Sequence, residues 1–229
     1  MLFVSTLTSQ GQNNPTNSIH DWYDSKVGKE TLDLNNGKIL LNYDRVLDNN
    51  DRFYFDTYRY GTVLFDGQLY NNILLNYDIL NDDLIVKSNG ENDKTPIIIN
   101  KSKVKSFTVN GKNYVNLSYN TISQTDVAKG FYEEVVVNDK VSFYVKYEKY
   151  KKQLIKFNTI YDDFKPNTYF VISYKNEFFK ITNKKSLITI FPELKKNIND
   201  YYSNNSALEK SNKIKFLSDL FKYLNTIIK

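Results

Sequence analysis

The sequence predicts an α+β fold that is mainly β: antiparallel sheets built from hairpins, as a sandwich or a partly closed barrel, followed by a C-terminal helical pair. Three observations predict it. Four turn dipeptides, Asp66-Gly67, Asn110-Gly111, Asn138-Asp139 and Lys175-Asn176, each separate two runs of alternating or β-rich character, the pattern of tight hairpins. The chain carries 19 Tyr and 15 Phe, side chains that suit a pleated, half-buried surface. From Ser186 onward the apolar period lengthens from two to about three and a half residues, as in a helix. No helical pattern lies between the turns to cover a parallel sheet, so the pairing is expected to be antiparallel.

Taken in order, residues 1–12 read MLFVSTLTSQGQ, a short apolar run and then a polar one. This resembles the end of a secretory signal peptide without its basic start. Residues 1–20 are therefore expected to be a signal remnant and polar lead, residues 21–183 a β domain, and residues 184–229 helices packed on it. The runs 38–45 and 52–60 alternate loosely and are expected as strands. Beyond Asp66-Gly67, the residues Ile73, Leu75, Tyr77 and Ile79 alternate with Asn72, Asn76 and Asp78, a strand with one buried face. Asp82-Asp83 closes the next turn, before Leu84-Ile85-Val86. The segment FDGQLYNNI at 65–73 echoes VNGKNYVNL at 109–117, through shared turn chemistry or through duplication. In the helical end, Leu187, Ile190, Phe191, Leu194, Ile198 and Tyr201 fall on one face, with Pro192 opening a second turn. Ser206 and Glu209 have the spacing of a capping box. The helix they open would bury Ile214, Leu217, Phe221, Leu224 and Ile228.

Composition removes much chemistry. With no Cys and a single histidine, His20, there is no disulfide, no thiolate nucleophile and no multi-His metal centre, so neither a cofactor nor a metal site is expected, while carboxylate-only calcium or magnesium binding stays open. His20 precedes Asp21, but no G-x-S-x-G elbow accompanies them. Phosphate-binding glycine loops and EF-hand loops are also missing, and no run of some eighteen apolar residues predicts a membrane-spanning helix. The adjacent acids Glu133 and Glu134 would point to opposite faces of a strand, and Asp82-Asp83 and Asp162-Asp163 read as surface or turn acids. A hydrolase would have to bring distant carboxylates together.

Charge is uneven along the chain. Residues 1–100 hold 8 basic and 14 acidic side chains, and residues 101–229 hold 23 basic and 12 acidic. The densest basic stretch is YVKYEKYKKQLIKF at 144–157. Cations interleaved with rings can follow a polyanion and stack on its groups, and the same pattern describes a strand whose outer face is lysine. The candidate binding residues are Tyr144, Lys146, Tyr147, Lys149, Tyr150, Lys151 and Lys152.

The blocks YNNILLNYDILNDDLIVK at 70–87, GFYEEVVVNDKVSFYVK at 130–146 and KKSLITIFPELKKNINDYY at 184–202 resemble uncharacterised exported, β-rich proteins of the cell envelope in the Bacteroidota. The resemblance implies a periplasmic, outer-membrane or cell-surface location and carries no catalytic residues. A cytoplasmic location would require that Met1 be the true start. Folding signals are plentiful and catalytic ones lacking, so the expected function is a non-enzymatic envelope protein for binding or assembly through contacts with another protein. The alternatives are a glycan or polyanion binder using the lysine-aromatic strand, and a hydrolase with convergent carboxylates; nucleic acid is disfavoured as a partner.

Overall fold

The structure, a computed structural model, describes residues 33–47, 51–87, 95–117 and 127–228. The signal-like segment 1–12, His20 and Trp22 lie outside them. Eleven strands form one open antiparallel sheet: β1 (Lys38–Ile39), β2 (Arg59–Phe65), β3 (Gln68–Asp78), β4 (Asp83–Lys87), β5 (Pro96–Ile98), β6 (Val104–Val109), β7 (Lys112–Asn116), β8 (Phe131–Val136), β9 (Val141–Lys156), β10 (Thr159–Tyr174) and β11 (Glu177–Ile181). Their spatial order is β1-β5-β4-β3-β2-β6-β7-β8-β9-β10-β11. Four helices follow: α1 (Lys184–Ile190), α2 (Lys195–Asn204), α3 (Ser206–Ser211) and α4 (Lys213–Ile227).

Local chemistry sets the hairpins. Asp66, Asn110, Lys175 and Asn176 have positive φ, as do Gly67 and Gly111, so three of the four turn dipeptides predicted from sequence adopt the left-handed conformations that such turns need. Asn138-Asp139 does not, because β8 and β9 are joined by the four residues 137–140, closed by the Ser142 hydroxyl on the Asn138 backbone. Each half of the 65–73 and 109–117 echo is a hairpin, and Tyr70 and Tyr114, four residues after the turn's first residue, are both buried. At Gly61 a Cβ would lie 2.1 Å from the Thr108 carbonyl oxygen, so glycine permits β2 to pass β6 closely.

The sheet rolls on itself. Four strands separate β3 from β9 in the order, yet the Lys149 amide donates to the Ile79 carbonyl at 2.9 Å, just past the end of β3. Inside the roll pack Val63, Leu75, Tyr77, Phe107, Tyr114 and Phe131, with the Phe107 and Tyr114 rings stacked at 4.6 Å. The four helices cover the rest of the inner face at β8–β11. There Val141, Phe143, Val145 and Ile172 meet Leu187, Ile198, Leu217, Phe221 and Leu224, and the rings of Phe143 and Phe221 lie 5.1 Å apart. A small outer cluster holds Leu117, Tyr132, Tyr144 and Val171.

Four further local expectations are corrected. Of the run 38–45 only Lys38–Ile39 is strand, because an Asx turn, from the Asp44 amide to Asn42 Oδ1 at 3.2 Å, bends the chain toward β10. The run 52–60 stays irregular until Arg59. Its neighbouring rings Tyr54 and Phe55 both pack against the rolled core, which a period of two does not allow, and Asn76 Nδ2 holds the Phe55 carbonyl at 2.9 Å. No capping box forms at Ser206, since Asn205 is the N-cap and Glu209 pairs with Lys213. The box is instead at the start of α1, between Asn183 and Ser186. Asn212 then breaks the helix expected to run from 206 and caps α4, its Oδ1 accepting from the Lys215 amide at 3.0 Å.

Candidate functional site

β9 and β10 are 16 residues each, far longer than their neighbours require. β8 pairs with β9 only as far as Val145, and β11 pairs with β10 only from Phe170. Beyond those points no other strand flanks them and they pair with each other down to Lys156 and Thr159, met by other backbone where Lys149 donates to Ile79 and Asp162 donates to Arg45. Pro166 sits in this stretch of β10, where the outer edge needs no amide donor. The hairpin therefore leaves the sheet as an arm, and six of the seven candidate binding residues lie along it, Tyr144 being still paired with Glu134 of β8.

The structure does not bring those seven into one surface. Tyr144 is buried in the outer cluster, its ring 5.9 Å from that of Phe178. Lys146 is 2% exposed. Its Nζ donates to Asp82 Oδ1 at 2.9 Å and lies 5.0 Å from the centre of the Tyr132 ring. Asp82, held at φ 58° in the β3–β4 turn, also accepts from the Tyr77 hydroxyl at 2.5 Å and the Phe131 amide at 3.3 Å. Lys101 completes its surroundings at 3.3 Å. Burial, reinforced by the Asp82 charge, pushes the Tyr77 phenol well above its ordinary value. Gly130 has φ 129°, and a Cβ there would lie 1.8 Å from Asp82 Oδ2.

The next residues are also tied inward. The Tyr147 hydroxyl donates to Glu133 Oε2 at 2.6 Å, which also receives Lys112 at 2.9 Å; burial and the Glu133 hydrogen bond raise this phenol. Lys149 Nζ donates to the carbonyls of Asp51 and Phe53 at 2.6 and 3.1 Å, and burial lowers its pKa. Lys151 bridges Asp44 at 3.0 Å and Asp162 at 3.1 Å, hydrogen bonds that raise its pKa. Arg52 extends this set, reaching Asp44 at 3.4 Å and Asp78 at 3.0 Å. Tyr150 and Lys152 face solvent, with Lys152 Nζ 5.4 Å from the centre of the Tyr150 ring.

The far end of the arm is a different surface. Ile155 is 73% exposed, Phe157 90% and Ile160 55%, with Leu154 partly exposed beside them. Cross-strand pairing sets Ile155 beside Ile160 on one face and Leu154 beside Tyr161 on the other. Phe157 and Asn158, at φ 50° and 54°, form the turn. Sequence reasoning missed these residues because Phe157-Asn158 lacks a glycine. The available signal was a pair of alternating runs, QLIK and TIYD, on either side of an Asn.

The adjacent acids of the sequence are engaged separately, and the distant carboxylates Asp44 and Asp162 meet at Lys151. Glu133 and Glu134 face opposite ways, toward Lys112 and Asn113; Asp83 pairs with Lys101, Asp162 with Lys151 and Asp163 with Lys165. Among the described residues no three His, Cys, Asp or Glu side chains gather to hold a metal ion, and no helix is long and apolar enough to cross a membrane. A shallow groove of about 460 Å³ lies between α1 and α2–α4, lined by Lys184, Tyr202, Glu209 and Lys213 among others. Its Glu209 and Lys213 neutralise each other. No family model, curated protein or solved structure matches the chain. The reading of the site rests on its geometry.

Proposed function

We propose that the protein is a non-enzymatic binding or assembly protein of the cell envelope, and that the end of the β9–β10 arm is its contact element. One observation carries the reading: a two-stranded arm fixed at its base by the buried Lys146–Asp82 ion pair ends in Ile155, Phe157 and Ile160, all strongly exposed. An apolar cluster presented to water on a rigid support is the usual mark of an interaction site. The envelope location is the one implied by the sequence resemblance. The polyanion alternative is weakened, because the lysines of residues 144–152 do not form a continuous stripe. Lys146, Lys149 and Lys151 are engaged within the fold, leaving Lys152 and, nearer the turn, Lys156.

A photoreactive residue placed at Phe157 tests this in intact cells. Adducts are expected from position 157 and not from Val137, which is 63% exposed and lies between β8 and β9, at the opposite end of β9 from the turn. Equal labelling at both positions, or none at 157, would remove the arm as the contact element.

A further inference from the structure

We propose that the end of the arm inserts into the interface of an anionic lipid bilayer. Phe157, Ile155, Ile160 and Leu154 enter the headgroup–acyl boundary, and Lys152 and Lys156 meet acidic headgroups. The proposal rests on the reading of the arm as contact element, and it names the partner.

Shape is the first argument. An arm that docks on a protein through one face needs only that face to be apolar. Here Ile155 and Ile160 occupy one face, Leu154 and Tyr161 the other, and Phe157 the turn between them. A protein partner would have to enclose this end in a socket. A bilayer interface surrounds an inserted hairpin without any preformed cavity.

Charge is the second. Residues 152–161, KQLIKFNTIY, include two lysines and no acid. Lys152 and Lys156 make no ion pair among the described residues, whereas the nearest acids on the arm are neutralised, Asp162 by Lys151 and Asp163 by Lys165. The end therefore presents only positive charge beside its apolar side chains, the complement of an acidic lipid surface.

Spacing is the third. At about 3.4 Å per strand residue, Leu154 lies roughly 10 Å behind Phe157 and Lys152 roughly 17 Å behind it. Interfacial side chains reach about 5–10 Å into the headgroup boundary, so the apolar set fits within that depth and Lys152 stays in the headgroups. Lys156 can lay its stem along the apolar surface and return its ammonium to water.

The turn itself is the fourth. Phe157 is held at φ 50°, a conformation that suits Gly or Asn and disfavours a bulky side chain. At 90% exposure, its ring gains almost no packing within the molecule to offset this. An external apolar environment accounts for an aromatic at this position.

The test is flotation of the whole chain with vesicles of phosphatidylcholine alone or mixed with phosphatidylglycerol. Binding is expected only to the mixed vesicles. Lys152→Gln with Lys156→Gln should weaken it about 25-fold, taking roughly fivefold for each lysine. Phe157→Gly should weaken it at least about tenfold. Glycine fits the turn, so this variant should melt at or above the parent temperature, separating a role in binding from a role in folding. Failure to bind mixed vesicles, or parent-level binding by Phe157→Gly, would overturn the proposal. Protein adducts from position 157 without vesicle binding would remove the lipid and keep the arm as contact element; no adduct of any kind would remove both.

Discussion

Lys146→Ala probes the base of the arm, where a lysine expected to contact a partner lies inside the fold. Its side chain is 3% exposed and that of Asp82 is 17% exposed, with 2.9 Å between the charges. Removing one partner of a buried pair costs about 3–5 kcal/mol, because the other charge is left uncompensated. Asp82 would keep the Tyr77 hydroxyl, the Phe131 amide and Lys101, and its partial exposure lets water in, so the expected loss is about 2–4 kcal/mol. For a chain of this size that is a fall in melting temperature of roughly 5–15 °C. Lys146→Met keeps an unbranched stem of similar length and removes the charge, so it should recover the packing part of the loss. Urea unfolding followed by circular dichroism gives the number, with the slope unchanged if only the native state is affected. Lys152→Ala, six residues along the same strand, should stay within about 0.5 kcal/mol of the parent. If the two lysines cost the same, or if Lys146→Ala costs less than about 1 kcal/mol, the division of the strand into a structural base and an exposed end is wrong.

Three further outcomes are expected. Gly130→Ala should destabilise by at least about 2 kcal/mol, since its methyl would collide with Asp82 and its φ is 129°; the urea midpoint measures it. Burial raises the Glu134 carboxyl pKa, so the folded state favours the proton; the stability this contributes is complete below the unfolded value and is lost as pH rises through the folded one. Glu134→Gln should therefore be more stable than the parent at neutral pH and indistinguishable from it below about pH 4, as read from urea midpoints at the two pH values. Burial also raises the phenols of Tyr77, Tyr114, Tyr132 and Tyr147. The stability linked to them is present below about pH 10 and lost above it, so their tyrosinate absorbance should appear together with unfolding, and ionisation of all four in a folded chain would contradict the burial.

The sequence made the fold class legible because turn chemistry and periodicity are local. Asp66-Gly67, Asn110-Gly111 and Lys175-Asn176 mark turns that any strand pair must use, and the spacing of Leu217, Phe221 and Leu224 requires only a helix. What stayed hidden depends on contacts distant in sequence. Tyr54 and Phe55 break alternation because both meet a core built from strands β2 to β8, and Asn212 ends a helix by capping the next. The site was half legible. The segment 144–157 was recognised as unusual, but its pattern could not separate Lys146, which meets Asp82 sixty-four residues away, from Lys152, which makes no ion pair among the described residues although Asp163 stands opposite it. The exposed end was missed because an αL phenylalanine is a weak turn signal. Its meaning emerges only when the strand is seen to outrun its neighbours.

A substitution scan from Tyr144 to Ile160, scored for both melting temperature and retention on isolated cell envelopes, tests the central claim most directly. Stability should fall for changes at 144–149 with Lys151 as the boundary, and retention should fall for changes at 152–160 with melting temperatures near the parent's. Loss of retention at Lys146 or Tyr147 in a fully stable protein, or full retention across Leu154, Ile155, Phe157 and Ile160, would contradict it.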